Sequence, residues 1–329
     1  MENKTILETI DPDITERLVS RRQAIAKGAG ASSALMTALA FGSVPIALAA
    51  LSRDALGQGA NNQIKDVLDF AFILEQLEAE FYKAVLGNSA STAQNTAFVP
   101  VRTAILALPN AASVVNTFEL IEQHEIAHVA FLKTQLDAMG GPAATLAADD
   151  FDFTGGNGSG MGPFAPATTD VDFLLAATQG FEDTGVRAYK GQAGQLISDD
   201  VVLEAALRIH SVEARHASRV RRIRRSRATS STVIRYSGTI RGGGAEAAGA
   251  PGSLDPAVVA AFAKIYGGAT PESNTTHAGI NAATLPGIQG GVDAATEAFD
   301  EPLTAAEVVD IVDSFIIPDV PAEILDGLA

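Results

Sequence analysis

Two stretches of this chain set a carboxylate and an imidazole one helical turn apart: Glu125-Ile126-Ala127-His128 and Glu213-Ala214-Arg215-His216. At this spacing both side chains of a pair leave the same face of a helix and can reach one point. Stepping outward by fours and threes gives Val114, Phe118, Ile121, Glu125, His128, Leu132 in the first, and Val202, Ala206, Ile209, Glu213, His216, Val220, Ile223 in the second. Each is an apolar stripe interrupted only by the Glu and the His. An ionised carboxylate on a core-facing stripe is unfavourable unless it is paired or bound to a metal, and here the interruption occurs twice with the same spacing. The chemistry this permits is a buried metal site with oxygen and imidazole donors, a set suited to iron or manganese rather than to a soft metal.

The remaining donors of such a site should come from two further helices, each contributing one Glu. Glu75-Gln76-Leu77-Glu78-Ala79-Glu80-Phe81-Tyr82-Lys83 aligns with Glu182-Asp183-Thr184-Gly185-Val186-Arg187-Ala188-Tyr189-Lys190, with a Tyr-Lys pair at the same offset from the leading Glu. The chain therefore repeats a unit once: a helix with Glu and Tyr, then a helix with Glu-x-x-His. Glu75 and Glu78 both border the core face made by Phe70, Leu74, Leu77, Phe81 and Val85. Either could be the ligand, and alignment with Glu182 favours Glu75. Tyr82 and Tyr189 lie two turns from these glutamates, which makes them candidate catalytic groups, as hydrogen-bond donors to the ligands or as redox-active side chains.

With these motifs in place, the chain resembles a ferritin-like di-metal carboxylate protein. More narrowly it is similar to the bacterial ferritin-like family that includes plant desiccation-related proteins, through Leu77-Glu78-Ala79-Glu80-Phe81-Tyr82 and Phe181-Glu182-Asp183-Thr184-Gly185-Val186-Arg187-Ala188-Tyr189. The resemblance covers residues 61–225. It implies an all-α fold, a ferritin-like four-helix bundle with a long crossover between helices 2 and 3. It also implies two iron or manganese ions, held by Glu75, Glu125, His128, Glu182, Glu213 and His216. Two adjacent metals that change oxidation state could reduce oxygen or peroxide, so ferroxidase, peroxidase or catalase chemistry is the leading expectation. The alternative is a non-enzymatic stress or desiccation-associated structural protein whose metal holds the bundle together.

The elements that must position these residues can be bounded. A first helix is expected over 64–86, stopped by Gly87-Asn88. A loop with a short helix over 101–108 follows, then a second long helix over 112–139 closed by Gly140-Gly141-Pro142. His124 falls outside its stripe, at the surface or beside the ligands. Residues 140–169 are rich in Gly, Ala, Pro, Asp and Thr, and no regular element is expected there, in keeping with a long crossover. A third helix over 171–196 starts at the Thr168-Thr169-Asp170 capping cluster. Gly180 and Gly185 flank Glu182, and since an interior glycine costs about 1 kcal/mol relative to alanine, something is expected to approach closely at each. The fourth helix, over 199–225, ends in Arg219, Arg221, Arg222, Arg224, Arg225 and Arg227. That end is expected to be solvated and paired with acidic neighbours, with a favourable helix-dipole contribution. Residues 226–329 form a largely irregular C-terminal extension with short helices over 256–266 and 305–316. Asp255-Pro256 makes a helix start and Thr304 with Glu307 a capping box. His277, in a Ser/Asn/Thr-rich loop, is not expected to be a ligand.

At the N-terminus, Ser20-Arg21-Arg22-Gln23-Ala24-Ile25-Ala26 precedes an uncharged run over 28–52 rich in Ala, Leu and Gly. This resembles a twin-arginine export signal, with Ala47-Leu48-Ala49 as the cleavage site. Residues 1–49 would then engage the twin-arginine export machinery and place the protein in the periplasm or outside the cell. An uncleaved membrane anchor is the other reading, because the run is long enough to span a bilayer. Of 329 residues, 39 are Asp or Glu against 23 Lys or Arg, a net charge of −16 that argues against nucleic-acid binding. An acidic surface also gathers cations. Cysteine is absent, which excludes disulfides, a thiolate nucleophile and an iron-sulfur cluster. Homo-oligomers remain open.

Overall fold

The computed structural model describes residues 58–227, 255–287 and 291–317. The expected export segment 1–49 lies outside them. In chain order the helices are α1 (Gln58–Leu86), the short α2 (Thr92–Ala97) and α3 (Val99–Leu106), α4 (Ala111–Ala138), α5 (Val171–Gln192), α6 (Asp200–Arg227), α7 (Pro256–Tyr266), α8 (Gly291–Glu297) and α9 (Ala305–Val312). A two-stranded antiparallel hairpin, β1 (Thr276–His277) and β2 (Ile280–Asn281), lies between α7 and α8. Helices α1 and α4 pack along each other, as do α5 and α6, and the long connection from α4 to α5 joins the two pairs. This is the all-α four-helix bundle with a crossover between its second and third long helices. No helix among the described residues is long and apolar enough to cross a membrane.

The helix ends follow local chemistry. Gly87 (φ 89°) ends α1 and Gly140 (φ 104°) ends α4. In each case the next residue's amide reaches back to a carbonyl of the last turn, Asn88 N to Lys83 O at 2.7 Å and Gly141 N to Leu136 O at 2.8 Å. Asp170 caps α5 by accepting from Phe173 N, Asp255 caps α7 ahead of Pro256, and Thr304 with Glu307 forms the capping box of α9. The short helix expected over 101–108 is α3, and the stretch before it, expected as loop, holds a second short helix, α2, capped by Ser91 through Gln94 N. The third long helix stops at Gln192 and tightens into a 3₁₀ turn over Ala193–Leu196, rather than running on to 196 as α-helix.

The apolar interior divides into two blocks. One contains Ile64, Leu68, Phe72, Leu132, Leu136, Val202 and Ile209; the other contains Phe81, Phe118, Ile121, Phe181, Val220 and Ile223. On α4 the stripe passes from Ile121 in one block to Leu132 in the other, and the residues between them are Glu125 and His128. On α6 it passes from Ile209 to Val220, with Glu213 and His216 between. The interruptions in the sequence stripes therefore become a polar layer sandwiched by hydrocarbon.

Two parts of the chain are more ordered in their packing than composition implies. The crossover lacks long helices, as expected, but buries Phe151, Phe153 and Phe164 in the core. Its Gly-rich turn is organised by the buried Asp152, whose Oδ2 accepts from Gly158 N and Gly160 N at 2.9 and 3.0 Å. The described parts of the C-terminal extension pack into the same block: Phe262, Val308 and Phe315 are buried there, and Phe151 bridges Ile316 in antiparallel fashion. The end of α6 is also less solvated than expected. Arg224 is 3 % exposed and bonds Gln179, while Arg221 and Arg227 pair with Asp183 and Asp172 of α5.

Candidate metal centre

Each of the four long helices delivers one carboxylate to the polar layer, and α4 and α6 each add an imidazole. Glu75, Glu125, His128 and Glu213 offer ligand atoms within 4.8 Å of one another, and so do Glu125, Glu182, Glu213 and His216. All six residues named from the sequence thus meet in two overlapping groups. The four carboxylates are at most 1 % exposed; the His216 side chain is 5 % and that of His128 11 % exposed.

The two groups share Glu125 and Glu213, and the distances show how. His128 Nδ1 lies 3.1 Å from Glu75 Oε2, 3.0 Å from Glu125 Oε2 and 3.2 Å from Glu213 Oε1. His216 Nδ1 lies 3.1 Å from Glu182 Oε2, 2.9 Å from Glu125 Oε1 and 3.6 Å from Glu213 Oε2. Glu125 and Glu213 therefore divide their oxygens between the two imidazoles, whereas Glu75 and Glu182 each serve one. Glu125 and Glu213 thus stand between the two imidazoles, and Glu75 and Glu182 stand at opposite ends of the layer's contacts with them.

One imidazole N–H cannot satisfy three carboxylate oxygens. Glu125 Oε1 and both oxygens of Glu213 accept no hydrogen bond although they are fully buried. An orphaned anionic acceptor in the interior is costly, and lone pairs left free around a common point are what a cation would use. An octahedral ion with bonds of about 2.1 Å holds adjacent donors about 3 Å apart, the spacing found here. The donor set fits a hard or borderline divalent ion.

Without a cation the layer distributes protons unevenly. Burial raises Glu125 well above the usual carboxylate range, with repulsion from Glu213 adding to it. Glu182 is raised to about 7, again chiefly by burial. Burial also acts on Glu213, but contacts with His128 and His216 outweigh it and hold this carboxyl at about 2. Burial disfavours charge on His216, yet Glu182, Glu125 and Glu213 overcome that and lift it to about 12. His128 is raised in the same way by Glu75, Glu125 and Glu213. In the metal-free layer the imidazoles act as the counter-cations.

The tyrosines cross between the halves of the repeat. Tyr82 donates to Glu182 Oε1, and Tyr189 donates to Glu75 Oε1 at 2.5 Å. Burial first, and then the partner carboxylate, raises both phenols well above their usual range, so both remain donors. His124 stands beside the ligands: its Nδ1 is 2.8 Å from His216 Nε2 and the two rings stack. With Nδ1 of His216 facing the carboxylates, its Nε2 meets His124, and the contact fixes the ring's orientation.

The glycines flanking Glu182 are close-approach positions, as their cost predicts. A Cβ on Gly180 would meet Ile265 of α7 at 3.0 Å, and one on Gly185 would meet Glu78 at 3.3 Å. Sequence reading missed Arg187, which is 1 % exposed and donates to the carbonyls of Ile265, Gly267, Thr270 and Glu301 while pairing with Glu272 at 3.0 Å. The signal was present: Phe173, Ala177, Gly180, Thr184 and Arg187 step by fours and threes along one face of α5, and all but Arg187 are apolar or small. His277 is remote from the layer and stacks on Phe299.

Residues 64–226 match the family model described as a ferritin-like domain. No curated protein and no solved structure matches the chain. By its paired antiparallel helices, its crossover, its buried Glu/His layer and this family match, the helical bundle of the chain is a ferritin-like domain.

Proposed function

We propose that the layer binds two iron or manganese ions, and that the protein is an exported redox protein of the ferroxidase, peroxidase or catalase type, related to the bacterial ferritin-like and desiccation-related proteins. The observation that carries this reading is the division of Glu125 and Glu213 between two imidazoles, with three of their four oxygens accepting no hydrogen bond in the interior. Bound there, two such ions supply one-electron steps toward oxygen, peroxide or ferrous iron. The chain's own residues do the rest: Glu75 and Glu182 terminate the two ligand sets, Tyr82 and Tyr189 hold those carboxylates by donating to their outer oxygens, and the two apolar blocks exclude bulk water.

Elemental analysis of protein purified with its native metal, combined with a peroxide-consumption assay, tests the proposal. About two ions per chain and metal-dependent loss of peroxide are expected; well under one ion after reconstitution counts against it. A second reading, in which the metal only ties the helices together, draws on the position of the layer between two apolar blocks. Two ions with no turnover of oxygen, peroxide or ferrous iron would favour it.

Export is part of the proposal and rests on Arg21 and Arg22 ahead of the uncharged run. A route that carries folded proteins suits one that loads its metal before leaving the cytoplasm. Replacing both arginines by lysine should leave the chain inside the cell at full length. Recovery of full-length wild-type chain in the membrane fraction would instead point to an anchor.

A further inference from the structure

The two halves of the repeat differ at one position of the polar layer. Glu75 aligns with Glu182, and one turn further on Glu78 aligns with Gly185. These unlike positions face each other: a Cβ built on Gly185 would stand 3.3 Å from Glu78 Oε1 and 3.5 Å from Glu213 Oε2. Glu78 Oε1 and the unbonded Glu213 Oε2 both border the space that a side chain at 185 would fill. Keeping glycine inside a helix costs about 1 kcal/mol relative to alanine, so the gap is maintained against local propensity.

Glu78 is 5 % exposed. Burial, followed by repulsion from Glu213, Glu182, Glu125 and Glu75, raises its pKa well above the carboxylate range. A buried carboxyl among four others is unfavourable as an anion in the metal-free fold. Four carboxylates and two neutral imidazoles already balance two divalent ions. A fifth carboxylate on one side of a near-symmetric site breaks that balance in favour of the position it reaches.

We propose that Glu78 is a fifth carboxylate ligand of the centre, admitted by Gly185, and that it makes the two cation positions inequivalent. This rests on the reading of the layer as a dinuclear metal centre. Two near-identical ligand sets alone would be equivalent for the first ion, the second being weakened only by repulsion from the first and by the ligands they share. With Glu78 on one set, the ions enter in two resolved steps, the tighter one using Glu78.

The test is a titration of the metal-free full chain with Mn(II), following bound ion by calorimetry and free ion by its paramagnetic resonance signal. Wild type should take up two ions in steps separated by more than the statistical ratio for equal sites. Glu78→Gln keeps the shape and removes the charge; it should weaken the tighter step about 10- to 100-fold, the range for groups that support a metal ligand set, and bring the two steps closer together. Gly185→Ala, which crowds the carboxylate while favouring the helix, should weaken the same step, and it serves if Glu78→Gln does not fold. Wild-type binding of two ions in steps that neither variant alters overturns the role of Glu78 and leaves the centre standing. A wild-type chain that binds no Mn(II) overturns the dinuclear reading and the role of Glu78 with it.

Discussion

Glu213 belongs to both groups of the polar layer. It is fully buried, both its oxygens are free of hydrogen bonds, and it faces both imidazoles, at 3.2 Å from His128 and 3.6 Å from His216. Glu75, by contrast, meets His128 alone and is steadied by Tyr189. Removing the first should therefore act on both ions and removing the second on one. Glu213→Ala is expected to bring the metal content of reconstituted protein close to zero, whereas Glu75→Ala should retain about one ion per chain, as read by elemental analysis. Equal losses from the two variants would mean that the oxygens of Glu213 are not shared between two positions. The cross-pairing of Tyr82 with Glu182 and Tyr189 with Glu75 makes each half of the repeat depend on the other. One half alone would leave its terminal carboxylate without its phenol donor.

At the scale of elements, α5 is the helix that the others use. One face supplies Glu182 to the centre, another supplies Asp172, Gln179 and Asp183 to the arginines of α6, and a third receives the C-terminal extension through Gly180 and Arg187. Arg187 is bonded to main-chain carbonyls on both sides of the hairpin, so its loss strands several acceptors and the Glu272 carboxylate at once. Breaking a buried pair by removing one partner costs about 3 to 5 kcal/mol. Arg187→Leu should lower stability by that order in chemical denaturation and expose residues 267–301 to proteolysis before the bundle yields. Glu272 gives this contact a pH dependence. Burial raises its folded pKa to about 7 despite Arg187 alongside, while in the unfolded chain it titrates near 4.5. The folded state therefore binds the extra proton between these values, and stability falls as pH rises through that window, by up to about 3 kcal/mol. Unfolding free energies of wild type and Glu272→Gln, compared from pH 4.5 to 7.5, should converge or cross because only wild type carries this slope. Parallel profiles would show that Glu272 titrates alike in both states.

Over the whole molecule, one apolar block includes the bundle, the crossover and the described end of the chain. Phe315 packs 4.9 Å from Phe181 and 5.0 Å from Phe164, and Phe81 packs 5.5 Å from Phe153. Segments that share a core lose it together, so unfolding is expected as one transition rather than as a separate release of the extension. Phe315→Ala should cost about 3 to 5 kcal/mol through lost burial and the cavity it leaves. The denaturation midpoint should shift with helical and aromatic signals still coincident. A resolved early transition in the aromatic signal alone would show that the extension is an independent layer.

The four long helices and six of the groups that meet between them were legible in the chain alone, because helical periodicity is local. An apolar stripe broken twice by Glu-x-x-His states its buried face, and glycine after a helix or a Thr-x-x-Glu box states its end, without reference to any other element. Repetition added the rest, aligning Glu75 with Glu182 through Tyr-Lys. What depends on distant neighbours was not legible. Composition marks the crossover as irregular, and only packing makes its phenylalanines core residues. Whether an arginine such as Arg187 or Arg224 faces water or main-chain carbonyls depends on segments over 40 residues away in sequence. Nor could spacing decide which carboxylates stand between the two imidazoles: Glu75, Glu125, Glu182 and Glu213 are equivalent as helical glutamates. They differ only because α4 and α6 carry the imidazoles across which Glu125 and Glu213 must stretch, a relation fixed when four helices close on one point.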